Sequence, residues 1–253
     1  MNLNELDAYL RELLRIDDFA RVDASWNGVQ IECSDKQISR VAVAVDAAAE
    51  TVVRAARWKA DVLFVHHGLF WGSAARVTGT HYRRLKAFLE NDIALYAVHL
   101  PLDAHEALGN NAVMAERLEL TNRRPFGEYK GTTIGVAGTL PEAMTTEEVA
   151  RALFGTTEDL LGALPFGPDR NRTVGIISGG APRDVVQAID EGLDLFITGD
   201  ASHNVYHNCL ESGINVMFAG HYRTETWGVE AVARRLSDEL GVETTFIDVP
   251  TGL

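Results

Sequence analysis

A chain of 253 residues, 46% of them hydrophobic, can bury one large core or two smaller ones, so length alone leaves the domain count open. The formal net charge of −13, with 36 Asp and Glu against 23 Lys and Arg, argues against extended nucleic acid or an anionic membrane as partner. Cys33 and Cys209 are too few for a disulfide framework, the first residues are acidic rather than basic then apolar, and no run approaches about 18 apolar residues, so a cytoplasmic protein outside the membrane is expected.

In chain order, strand-like runs alternate with helix-like ones. A strand at 41–45 precedes a helix at 46–59, a strand at 62–65, a helix at 82–90, a strand at 93–98 and a helix at 111–118. After a strand at 132–136, the second half repeats the order with strands at 174–177, 193–197 and 215–218, helices at 183–191, 205–211 and 229–240, and a last strand at 244–249. Such alternation predicts an α/β fold with largely buried sheets.

The two halves align. Laying 41–45 over 174–178 and continuing without a gap puts Val52-Val53 on Val185-Val186 and 61–65 on 194–198, with His66-His67 opposite Gly199-Asp200. One shorter connection in the second half then sets His99 opposite His221 and Asp103 opposite Glu225. The expectation is an internal duplication: two similar α/β halves, 1–125 and 126–253, parted at the Pro/Gly-containing stretch 123–127, with the C-terminal segment able to pack back on the first half. Functional groups of such sheets gather beyond the C-terminal strand ends, so a metal cleft is expected there.

The strand ends carry metal-ligand chemistry. His99 and Asp103, and again His221 and Glu225, place a carboxylate four residues after an imidazole, and the 62–65 run ends in His66-His67. Nitrogen and carboxylate ligands without thiolate suit Zn²⁺, Fe²⁺ or Mn²⁺, and this set is enough for two ions. We assign His66 and Asp103 to one ion, His67 and His221 to the other, and Glu225 to both; Gly68 would let the chain turn so that the paired imidazoles serve different ions. His99 is either a further ligand or a group that fixes Asp103 or moves protons. His203, after the strand equivalent to that of the histidine pair, is a candidate for proton transfer or substrate contact, or else a helix N-terminal residue. Asn27 and Gln30, around an Asn-Gly turn, either read a ligand or shape the turn. The loop 178–182, Ser-Gly-Gly-Ala-Pro, is a weak candidate for anion binding.

Together Trp26-Asn27-Gly28-Val29-Gln30, Val65-His66-His67-Gly68, the segment 99–105, Thr198-Gly199-Asp200 and the segment 220–225 resemble the Nif-three-like dinuclear metal-centre family, whose members are commonly labelled GTP cyclohydrolase I type 2 homologues. The resemblance implies a two-domain α/β protomer, two divalent ions held by His66, His67, Asp103, His221 and Glu225, and a ring-shaped homohexamer. Two functions are then open. One is a metal-dependent hydrolase of a nucleotide, small heterocycle or phosphoester, with His99 or His203 moving protons. The other is a non-catalytic metal-handling, ligand-sensing or adaptor assembly.

Overall fold

The structure is a computed structural model and describes residues 1–73 and 75–253. In chain order the elements are α1 (Leu3–Leu14), β1 (Gly28–Ile31), β2 (Arg40–Asp46), α2 (Ala49–Trp58), β3 (Val62–His67), α3 (Gly79–Glu90), β4 (Ala94–Ala97), α4 (Leu100–Ala104) and α5 (Asn110–Arg117). There follow β5 (Thr121–Tyr129), β6 (Thr132–Met144), α6 (Thr146–Phe154), β7 (Gly162–Pro165), β8 (Asn171–Ile177), α7 (Val185–Asp190), β9 (Leu195–Thr198) and α8 (Tyr206–Ser212). The chain closes with β10 (Asn215–Phe218), α9 (His221–Thr224), α10 (Thr226–Leu240) and β11 (Glu243–Phe246). No helix among the described residues is long and apolar enough to cross a membrane.

Two compact units form. Unit 1 comprises Met1–Leu102 and Gly228–Val249, and unit 2 comprises Asp103–Trp227 and Pro250–Leu253. Residues 103–125, expected with the first half, thus fold with unit 2, and the C-terminal segment 228–249 returns to unit 1. The stretch 123–127, read from sequence as a connector, lies inside β5 and pairs with β6. Pro125 is tolerated there because β5 is the edge of its sheet, where a missing N–H breaks no inner ladder.

In unit 1 the sheet order is β1-β4-β3-β2-β11, with β1 antiparallel and the other neighbours parallel. The central residues of the inner strands, 41–45, 62–65 and 94–97, are buried and apolar without alternation because both faces of the sheet are covered. Val52 and Ala55 of α2 and Phe88 of α3 pack with Leu63, Val65 and Leu95. In unit 2 the order is β5-β6-β8-β9-β10-β7; β8, β9 and β10 are parallel and the rest antiparallel. Met114, Val149 and Leu153 pack there with Ile176, Ile197 and Met217.

The aligned strands share a register. Val41 pairs with Val62 in unit 1 and Val174 with Leu195 in unit 2, the same separation of 21 residues in each. The sheet orders β1-β4-β3-β2 and β7-β10-β9-β8 are the same path, each with its first strand antiparallel on the edge. One carboxylate pins each copy: Asp61 accepts from the backbone N–H groups of Ser39 and Arg40 and the Ser39 hydroxyl, and Asp194 accepts from the N–H groups of Arg172 and Thr173 and the Thr173 hydroxyl. Matching order, register and pin support the duplication expected from the alignment.

Candidate metal centre

In unit 1 the ends of β3 and β4 deliver His66, His67 and His99, and a ring nitrogen of each lies within 4.8 Å of the other two. The rings of His66 and His67, adjacent at the end of β3, lie 4.7 Å apart between centroids. Each Nδ1 has an acceptor: the Val98 carbonyl for His66 at 3.0 Å, Asp46 Oδ1 for His67 at 2.9 Å, and Asp23 Oδ1 for His99 at 3.0 Å. A carbonyl only accepts, so His66 carries its proton on Nδ1 and keeps the Nε2 lone pair. The carboxylates impose the same tautomer on His67 and His99, the arrangement by which metal-binding imidazoles are oriented and made more basic.

The support for His99 is built from the Asn-Gly turn. Asn27 Oδ1 accepts the His99 N–H, Asn27 Nδ2 donates to Asp23, and Asp23 also accepts the Leu100 N–H. Burial pushes the Asp23 carboxyl up, but the His99 contact, Asn27 and the Ser25 N–H outweigh it and hold the group below its ordinary value. Gln30 Oε1 takes the N–H groups of Leu69 and Phe70. Both residues therefore shape the turn, and Trp71, edge-on to His99 with centroids 4.9 Å apart, walls one side of the cluster.

In unit 2 the helical turn α9 carries His221, with Glu225 just past its end. His221 Nδ1 meets Asp200 Oδ1 at 2.9 Å and Nε2 meets Glu225 Oε1 at 3.2 Å. Burial pulls the imidazole down, but Glu225 and Asp200 overcome this and raise its pKa to about 9, so without metal it is charged. A metal on Nε2 would replace that proton. Asp103, 7% exposed, has its Oδ1 fixed by Asn110 Nδ2 and the Ser178 hydroxyl, each at 2.9 Å. Gly179 permits this packing: at φ +64° it stands so near Glu225 that an added Cβ would lie 2.1 Å from Oε1.

That proximity overturns the anion reading of the loop 178–182. Its Ser178 and Gly179 N–H groups are taken by Asn111 Oδ1 and Thr224 Oγ1, and Gly180 lies against Asp200. His203 is exposed at the head of the 3-10 turn His203–Val205, outside the groups that could hold a metal. His105 accepts the Ala107 and Leu108 N–H groups, and His81 packs edge-on to Phe70.

Sequence reasoning missed Asp23, Asp46 and Asp200, the Nδ1 partners. Two had a signal: Asp46 ends the strand beside that of His66-His67, and Asp200 is the residue aligned opposite His67. The donors are imidazole nitrogen and carboxylate oxygen, and neither cysteine joins a group of possible ligands among the described residues, so the residues fit a divalent ion of the Zn²⁺, Fe²⁺ or Mn²⁺ kind.

Known proteins carry this chain's likeness from end to end. A relative from Deinococcus radiodurans, described as a GTP cyclohydrolase 1 type 2 homolog, is 43% identical over 99% of this chain and 94% of its own. One from Treponema pallidum with the same description is 42% identical over the whole of both chains. The crystal structure of TTHA1606 from Thermus thermophilus superposes with a TM-score of 0.90 at 39% identity, covering both chains completely. The profile of one family matches residues 1–252, including every histidine and carboxylate placed above, and the chain belongs to that family, Duf34/NIF3 (NGG1p interacting factor 3).

Proposed function

We propose that the protein is a metal-dependent hydrolase of a nucleotide, small heterocycle or phosphoester, in which His66, His67, Asp103, His221 and Glu225 hold two divalent ions and Glu225 serves both. The observation that carries this reading is the common setting of the imidazoles: each of His66, His67, His99 and His221 has its Nδ1 on an oxygen acceptor, leaving Nε2 as the donor atom for a metal. When bound, such ions supply Lewis acidity and make water acidic enough to attack near neutral pH.

The chain's own residues do the rest. Asp103 and Glu225 are buried carboxylates whose negative charge would be compensated by the ions. His99, set by Asp23 and grouped with His66 and His67, would either ligate directly or take a proton through Nε2. His203, outside the groups that could hold a metal, would serve in proton transfer or substrate contact rather than as a ligand. The relatives' description as GTP cyclohydrolase 1 type 2 homologs makes GTP ring opening the first reaction to try.

The test is turnover of GTP, other nucleotides and simple phosphodiesters by fully metallated protein. Activity should vanish with a chelator, and fall by a factor of about a hundred or more in Asp103→Ala with the fold intact. Metallated protein that converts none of these, and gives no product in an unbiased metabolite screen, would sink the hydrolase and leave the metal-handling, ligand-sensing or adaptor reading. We also propose assembly as a closed homohexamer. Light scattering should give the mass of six chains, and a monomer mass across a wide concentration range would refute it.

A further inference from the structure

Unit 2 contains a cavity of about 320 Å³ that reaches from Asp103 to the edge strand β5. Ligand pockets run from about 300 to 1,000 Å³, so this one takes a single small molecule and no polymer. Ala104, Ala112, Pro125 and Val136 give it apolar walls, whereas Arg123, Arg124 and His105 give it donors.

Two adjacent residues on a regular strand point to opposite faces, yet Arg123 and Arg124 line the same cavity. The reason is a register irregularity between Thr121 and Arg124, with Asn122 in the left-handed region at φ 49°. Such a bulge re-aims side chains and recurs beside functional sites. Arg124 is anchored by Glu191, whereas Arg123 is held only at Nε, by the Leu120 carbonyl, so its terminal nitrogens meet no acceptor among the described residues. His105 accepts two backbone N–H groups at Nδ1, which places the proton of its neutral form on Nε2 as a further donor. Two carboxylates on the lining oppose them, the exposed Glu106 and the buried Asp103, whose Oδ1 already accepts from Asn110 and Ser178. In a chain of net charge −13, two guanidinium groups turned by a bulge into one small cavity are a device for an anion.

We propose that this cavity binds the phosphate group of a small phosphate ester, with the ester's apolar part against Pro125 and Val136. The anion site stands on unit 2 alone; its use as a substrate subsite rests on the proposed function, through the metal assigned to Asp103.

The test uses the full chain and phenyl phosphate, followed by titration calorimetry as purified and again after chelation. Binding should saturate at one site per chain, survive chelation, and be displaced by inorganic phosphate. Arg123→Ala should weaken it about tenfold or more, and Arg123→Lys by less, because lysine keeps the charge but not the fork. Loss of saturable binding after chelation, or unchanged affinity in Arg123→Ala, would overturn the site. Benzoate binding as tightly as phenyl phosphate would overturn the phosphate assignment. Chelator-resistant binding in a protein without turnover keeps this site and dismisses the hydrolase; turnover without such binding does the reverse.

Discussion

Glu225→Ala should purify without either metal ion, while His221→Ala should lose much of one and keep the other. Glu225 is 3% exposed and its Oε1 lies 3.2 Å from His221 Nε2, so its removal takes away a buried carboxylate as well as the ligand proposed to serve both ions. His221 offers a single nitrogen, and its loss leaves the remaining donors in place. Asp46→Ala supplies a graded control, because His67 stays but its Nδ1 acceptor is gone. Losing such a partner typically costs about 10–100-fold in metal affinity. Elemental analysis, with circular dichroism to establish that each variant is folded, reads all three. Two ions retained in Glu225→Ala would remove the bridge from the proposal.

Asp194→Ala and Asp61→Ala should each destabilise the protein by about 2–4 kcal/mol, from the loss of a carboxylate that satisfies two backbone N–H groups and a hydroxyl. Thermal and denaturant unfolding would show it. Asp61 adds a pH signature. Burial pushes its carboxyl up, but the N–H groups of Ser39 and Arg40, the Ser39 hydroxyl and Lys36 outweigh that and hold it below its ordinary 3.8. A depressed carboxylate contributes stability that is present above its unfolded value and lost as pH falls through the folded one. Wild type should therefore lose this contribution below pH 3.8, and Asp61→Asn should show a shallower acid limb. Equal stability of Asp61→Ala and wild type at pH 7 would refute the pin.

The parallel strands were legible because burial on both faces makes them short, unbroken runs of Val, Ile, Leu and Phe, and Val41, Val62, Val174 and Leu195 fall where the alignment put them. The edges were not. Gly28–Ile31 and Gly162–Pro165 are four-residue strands whose only ladder partner is a neighbour distant in sequence, and β5 hides behind Pro125 and Gly127. α6 did carry a signal, a Thr145–Glu148 capping box and a terminal Gly155, within a stretch read without either. At the site, imidazoles announce themselves by type and spacing, but Asp23 lies 76 residues from the His99 it holds, and no local pattern encodes that pairing. The bulge that turns Arg123 and Arg124 together was masked in the same way, since a Pro/Gly-containing stretch reads as a connector until its strand partner is known.

Gly199 occupies in unit 2 the place that His66 occupies in unit 1, and a Cβ there would stand 2.7 Å from the Gly179 carbonyl oxygen and 2.7 Å from the His221 Cα. Any side chain there must push one of these backbones aside, so Gly199→Ala should displace His221 and loosen the hold of Asp200 and Glu225 on its ring. The strand end of unit 2 thus meets backbone where that of unit 1 bears an imidazole, and a histidine at Gly199 would be gained only at the expense of the position of His221.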